Sequence, residues 1–545
     1  MQEGNRRMLI QKKYIILPYN NRMTLKHLEF YDGGDLIFDF RIKLDFFTCE
    51  CLAYINVEPY IGRDISIRFF ASEENIIPID TQEADAVPFA LQQTDEIPKC
   101  SNMDNRYRPY IHFTTPYGWL NDPNGLVYAD GVYHMFYQHN PAGTERENMH
   151  WGHAVSSDLF HWEHLGNALC PDNKGTVFSG SAIADRKNLL CLRKKETPLL
   201  LFYTAAGGTS RLSEGEPFSI CLAYSTDGGR TFERYAGNPL LPNIVKNNRD
   251  PKVVWCPPLE SYVMALYLEK SQYCLLSSEN LLDWRVFQSF TLPGDSECPD
   301  IYPLCLNHDP QQTYWVFSGA SDHYYVGKFT DGQFVSTQPV KRLHYGTCSY
   351  AAQTFSGAPD GRCIRFSWQR IEFLSAPFNG QLSIPGELQL CEIENEIYLC
   401  LWPVRELENI SGNMQVYRKI VLPGGAGKPF ICSVPRGALD IFIQAEYQPD
   451  CVLRINVFGA EVVCDMTRNQ LHCADSVSPI TIKQKQLRLR MILDKNSIEL
   501  FADQGEFYIS SRITCDYHLN WLQLQSDTQA AIQTLRIYKL QLEGI

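Results

Sequence analysis

What this 545-residue chain lacks narrows it first. No stretch approaches the ~20 consecutive apolar residues of a membrane-spanning helix. Near the start, Tyr14–Leu17 is the longest apolar run, too short for the core of a secretory signal, so the expectation is a cytoplasmic protein. A cationic excess is also missing. The 49 Lys and Arg against 62 Asp and Glu give a net charge of −13, which argues against nucleic acid as a partner, because its phosphates would be repelled. An uncharged ligand suits that balance. The 19 cysteines contain no C-x-x-C pair, which removes the commonest zinc and dithiol spacings. Scattered and odd in number, they are expected to be free, mostly buried thiols.

Helical periodicity is nearly absent too. In its place are short runs rich in Tyr, Phe, Val and Leu, divided by Gly, Asp, Asn and Pro: VYHMFYQH at 132–139, LLLFYTAA at 199–206, YVMALYL at 262–268 and TYWVFSGA at 313–320. These are strands, and the protein is expected to be all-β. After three of them a related phrase returns: SSDLFHWEHL at 156–165, STDGGRTFERY at 225–235 and SSENLLDWRVF at 277–287. Strand, strand, polar turn and aromatic-bearing strand is the pattern of a propeller blade, with a period in the ~40–70-residue range once loops vary. Residues 14–70 hold alternating strands such as LIFDFRIKL at 36–44, and 71–105 read as an acidic linker. Beyond 410 the segments LDIFIQAEY, VLRINVFG, LRLRMILD and SIELFAD alternate as in a β-sandwich. The division expected is a small N-terminal β domain with linker over 1–105, a propeller over 106–410 and a sandwich over 411–545.

Three carboxylates stand in unusual company. Asp122 lies in WLNDPNG, a string with the chemistry of a turn but with aromatics on both sides. Asp250 follows Arg249 and precedes a proline, and Glu297 precedes Cys298 and an Ile-Tyr-Pro-Leu run. Taken singly, an Asp-Pro is a turn and an Arg-Asp is a structural ion pair. Falling in different blades, all three could converge in a propeller's central funnel. Facing carboxylates, one ionised and one protonated, are the working parts of most enzymes that break glycosidic bonds.

WLNDPNG, the Arg-Asp-Pro triplet at 249–251 and the Glu-Cys pair at 297–298 resemble the three signature motifs of glycoside hydrolase family 32, which holds invertases, levanases and inulinases. FSGS at 178–181, YQHNP at 137–141, HWGHAVSSDL at 150–159 and YAAQTF at 350–355 extend the resemblance, which runs from about Arg108 to the C-terminus. It implies a five-bladed β-propeller followed by a β-sandwich. It also implies retaining, exo-type hydrolysis of β-fructofuranosides without metal or organic cofactor. By motif position Asp122 would be the nucleophile, Glu297 the general acid/base and Asp250 the transition-state stabiliser. Asn121, Gln138, Trp151, Phe178, Ser179, Ser181 and Arg249 resemble the fructose-binding set. Fructosyl transfer shares all three carboxylates, and a fructan-binding module without activity is the reading from another class.

The chain departs from the family pattern at three places. Arg146 stands where a tryptophan is common, His344 where an aspartate is usual, and Gly386 where an arginine is common. The sequence surroundings further predict Asp122 as the acid of low pKa, among turn amides, and Glu297 as the one of high pKa, beside an apolar strand.

Overall fold

The structure, a computed structural model, describes residues 5–72, 75–76, 91–97, 106–373, 376–446, 449–480 and 486–542. Most of the stretch expected as an acidic linker lies outside them. Within that stretch Gln92–Thr94 is a strand, paired with Tyr14–Tyr19.

Five sheets of strands in chain order form the propeller. The first blade is Gly118–Ala129, Val132–Asn140, His150–Ser156 and Glu163–Leu169, and the second runs from Thr176–Ala184 to Glu233–Arg234. The third opens with Arg249–Cys256, the fourth with Asp300–Cys305 and the fifth with Ser349–Thr354. The short strand Phe378–Asn379 pairs in parallel with Gly118 and Trp119, so a late segment closes the ring against the first inner strand.

The repeated phrase is the turn between the third and fourth strands. In three successive blades a serine hydroxyl lies beside the Asx residue two positions on: Ser156 with Asp158 at 3.1 Å, Ser225 with Asp227 at 2.8 Å, and Ser278 with Asn280 at 3.2 Å. The next residue is left-handed in each, Leu159 at φ 73°, Gly228 at φ 73° and Leu281 at φ 67°. In two of them the aromatic then ties the turn shut, Trp162 Nε1 donating to the Leu159 carbonyl and Trp284 Nε1 to that of Leu281. Local Asx chemistry explains why the phrase recurs where each blade must reverse.

Ahead of the propeller two small sheets pack around Ile15, Leu17, Leu28, Phe30, Ile67 and Phe69, and Ala142 of the first blade's loop joins that core. Behind it, two six-stranded sheets enclose Leu439, Ile441, Ile455, Leu489 and Leu524 as a sandwich. Each such aliphatic side chain taken out of water stabilises by about 1.5–3 kcal/mol. Propeller and sandwich are joined by polar contacts as well. His112 is fully buried between Asp494 (2.8 Å) and Glu499 (2.9 Å) of the sandwich. Among the described residues no helix is long and apolar enough to cross a membrane, and the described cysteines are free thiols.

Candidate active site

The Asp-Pro-Asn-Gly run is not a turn. It lies inside the inner strand Gly118–Ala129, and the pairing with Val132–Asn140 is interrupted on both sides of it. Tyr137 faces Pro123 while His139 faces Leu120, so an extra residue is looped out at Asn121–Asp122; a second irregularity falls at Gly125. A bulge re-aims a side chain without ending the strand. Gly125 has φ 54°, and a Cβ there would come within 2.7 Å of the Phe136 ring, so glycine is required.

Comparable irregularities recur in other inner strands. One falls between Phe178 and Gly180, at Ser179; one between Arg249 and Lys252, at Asp250; and one between Tyr350 and Gln353. The fourth blade does without a bulge, but Glu297 and Cys298, just before its inner strand, have φ 58° and 35°. Asp250 (φ 65°) and Ala351 (φ 51°) are also left-handed. Backbone of this kind costs on the order of 1–3 kcal/mol per residue and persists where surrounding structure imposes it.

These irregularities bring the three carboxylates together. Ser179 Oγ donates to Asp122 Oδ2 at 2.7 Å. The Cys298 thiol lies 3.7 Å from Asp122 Oδ2 and 3.6 Å from Asp250 Oδ2, placed to donate its one proton to either, and its amide donates to Asp250 at 3.1 Å. Arg249 Nη2 donates to Glu297 Oε1 at 2.5 Å, with its Nε 3.7 Å from Asp250. The guanidinium rests over the Tyr267 ring at 4.5 Å. Tyr350 donates its hydroxyl to Glu297 Oε2 at 2.6 Å.

The protonation pattern reverses the expectation from sequence. Burial raises Asp122, against hydrogen bonds from Asn121 and Ser179, and the charge of Glu297 raises it further. Asp250 is pushed up to about 7, by burial first and then by Glu297 and Asp122, against the pull of Arg249. Burial would raise Glu297 too, but the hydrogen bonds from Tyr350 and Arg249 and the charges of Arg249 and Arg146 carry it below its ordinary value. Donors and charges from distant parts of the chain outweigh the burial that its sequence neighbours suggested. The same negative environment keeps the Cys298 thiol protonated, with burial as the largest cause.

Of the expected sugar-binding set, Asn121, Ser179 and Arg249 touch or flank a carboxylate directly. Asn121 is oriented by Trp119, whose Nε1 donates to its Oδ1 at 2.8 Å. The Phe178 ring is partly open and packs edge-on against Phe218 at 5.7 Å. Gln138 donates to the Val177 carbonyl. Trp151 and Ser181 are fully buried: the indole donates to the Phe178 carbonyl, and the Ser181 hydroxyl accepts the Val253 amide. Through these bonds both brace the second blade's inner strand. Tyr350 and Cys298 are the site residues that sequence reasoning passed over, although both lie inside motifs singled out for their resemblance. Among the described residues no group of three or more His, Cys, Asp or Glu is arranged to hold a metal ion.

The departures from the family pattern divide. His344 is a buried, neutral imidazole held down to about 3 by burial, and its Nε2 accepts the amides of Gly346 and Ser510 where the propeller meets the sandwich. Gly386 packs against Leu401, which a Cβ would approach to 2.5 Å. Arg146, by contrast, belongs to the site: its guanidinium lies 5.3 Å from the Phe178 ring centre, and its charge lowers both Asp122 and Glu297.

Comparison with known proteins supports the same assignment. Residues 112–403 match the N-terminal domain of glycosyl hydrolases family 32 and residues 455–539 its C-terminal domain. A levanase from Bacillus subtilis is 32% identical over 490 residues, covering 81% of this chain and 71% of its own. A sucrose-6-phosphate hydrolase from Zymomonas mobilis is 31% identical, covering 76% of this chain and 88% of its own. Among solved structures, the exo-inulinase of Aspergillus awamori superposes with a TM-score of 0.71 at 25% identity, over 81% of this chain and 99% of the other. The β-fructofuranosidase of Schwanniomyces occidentalis, complexed with fructosyl-erythritol, gives 0.71 at 22% identity over 82% and 100%. With both family domains matched in order and three carboxylates gathered at the irregular ends of separate blades, this chain is a glycoside hydrolase and belongs to glycosyl hydrolases family 32.

Proposed function

We propose that the protein hydrolyses β-fructofuranosidic bonds in sucrose, fructo-oligosaccharides or levan- and inulin-type fructans, releasing fructose with retention of configuration. Asp122 attacks the anomeric carbon while Glu297 protonates the leaving oxygen; Glu297, now ionised, then activates water to free the fructose. Asp250 holds sugar hydroxyls. The carrying observation is the unequal wiring of the two reacting carboxylates. Asp122 accepts a hydrogen bond from the Ser179 hydroxyl, whereas Glu297 is gripped by a cationic and a hydroxyl donor from different blades.

That grip favours the ionised form needed in the second step. In the first step the leaving group displaces water from Glu297, which is the change that favours its protonated form. Near neutral pH the unliganded site is partly protonated, since burial and the charges of Glu297 and Asp122 push Asp250 up to about 7. Assay of fructose release from sucrose, levan and inulin, with product anomer read by NMR, tests the reading. Release of inverted fructose, or no release from any of them, refutes it, and product analysis at high sucrose separates hydrolysis from transfer.

A further inference from the structure

The N-terminal sandwich docks on the propeller face that carries the carboxylates. Strand direction dictates this. The catalytic residues lie at the starts of inner strands, and the hairpins joining second to third strands emerge beside those starts: Asn140 faces Trp119, and Ala206 faces Thr176. Those two hairpins are what the sandwich grips. Asn148 exchanges hydrogen bonds of 2.7 Å with the backbone N–H and C=O of Arg41. Asp39 accepts the amides of Arg211 (3.1 Å) and Leu212 (3.0 Å), and fully buried Glu29 pairs with Arg211.

Between the two bodies a polar cavity of about 540 Å³ remains, lined by His27, Asp39, Glu147, Thr176, Thr209 and Glu214 among others. Several of these groups are already paired, His27 with Asp39 at 3.0 Å and Thr176 with Thr209 at 2.7 Å. Glu147 is different. It is half-buried, and no hydrogen bond or ion pair joins its carboxylate to another described residue. Asp39, Glu147 and Glu214 offset Arg41 and Arg211 around the cavity, so it is no anion trap, and its hydroxyls, carboxylates and imidazole suit an uncharged polyol.

The cavity lies near the carboxylates. Arg146, next to Glu147, lies over the Phe178 ring and acts electrostatically on both Asp122 and Glu297. Thr176 is three residues before Ser179 on one strand, about 10 Å at ~3.3 Å per residue, a reach that the leaving chain of an oligosaccharide covers.

We propose that this cavity is an outer carbohydrate subsite, in which the N-terminal sandwich and the propeller together hold leaving-chain units of a fructan. The inference rests on the fructoside reading above and names its substrate class as oligomeric. The test is kcat/KM for sucrose and for fructose oligomers of increasing length, in the wild-type protein and in Glu147→Gln and Glu214→Trp. In the wild type kcat/KM should rise with chain length by about tenfold, the scale of one hydrogen bond to a charged group. Either variant should lose most of that rise, seen as a fall in the ratio of long-chain to sucrose values. If Glu214→Trp does not fold, the near-isosteric Glu147→Gln decides. A wild type indifferent to chain length, or variants that keep its full length dependence, overturns the subsite alone. Failure to hydrolyse any fructoside overturns it together with the functional reading.

Discussion

Tyr350→Phe isolates the grip on Glu297. The substitution keeps the ring, which packs near Trp368 and under Arg370, and removes only the hydroxyl that donates to Glu297 Oε2 at 2.6 Å. A hydrogen bond to a charged acceptor contributes about 1.5–3 kcal/mol. Glu297 has 34% of its side chain exposed, so solvent screens part of that and the lower end applies. At about 1.4 kcal/mol per unit, losing the donor should raise the Glu297 pKa by roughly one unit. The direction is set by charge state: the hydroxyl stabilises the ionised form, so its removal favours the protonated one. Glycosylation needs Glu297 protonated in the free enzyme, and the pH profile of kcat/KM reports free-enzyme groups. The descending limb at high pH should therefore move up by about one pH unit in Tyr350→Phe. A limb that stays in place, or moves to lower pH, would refute the account of what holds Glu297 ionised. Thermal unfolding of both proteins checks that the ring still packs.

Three other outcomes follow from the same structure. Asp122→Asn should abolish turnover of every fructoside, whereas Glu297→Gln should still show a burst with an aryl fructoside, whose leaving group departs without a proton; the reverse pattern would exchange the two roles. In a crystal structure with bound fructoside, the carboxyl groups of Asp122 and Glu297 should stand about 5–5.5 Å apart, while a spacing near 9 Å would indicate inversion. His112→Ala should cost about 3–5 kcal/mol in denaturant unfolding, because buried Asp494 loses its partner. Burial opposes the His112 charge, yet the hydrogen bonds its ring donates to Asp494 and Glu499 lift it to about 9, above the unfolded value. That stabilisation is complete below pH ~6.5 and lost as pH rises through about 9, so the gap between wild type and variant should narrow there; a constant gap would count against the pair.

Much of this was legible in the chain, and the failures share one cause. The strands at 132–139 and 199–206 announce themselves by composition, and the serine-Asx-aromatic phrase by the local chemistry of one turn. Asp122, Asp250 and Glu297 are marked by their motifs. What could not be read is anything set by residues distant in sequence. Asp-Pro-Asn-Gly has turn chemistry, but pairing with Tyr137 and Phe136 makes it a bulged strand. Glu297 sits beside apolar residues, but Arg249 and Tyr350, 48 and 53 positions away, set its charge. The Gln92–Thr94 strand hides in an acidic stretch because its partner, Tyr14–Tyr19, supplies the apolar surface.

Ring closure also sets a timetable for synthesis. The start of the inner strand that carries Asp122 waits for its parallel neighbour until Phe378 has been made, 378 − 118 = 260 residues after Gly118. At ~5–20 residues per second that is on the order of 13–50 s. Throughout that interval the nascent chain presents an unpaired strand edge, the kind of surface on which other chains nucleate. The N-terminal sandwich is finished long before, since its last described strand ends at Thr94, and the first-blade loop that inserts Ala142 into its core follows within fifty residues. The first blade can therefore be anchored while the ring is still open, and removing the sandwich should reveal itself first as aggregation during expression.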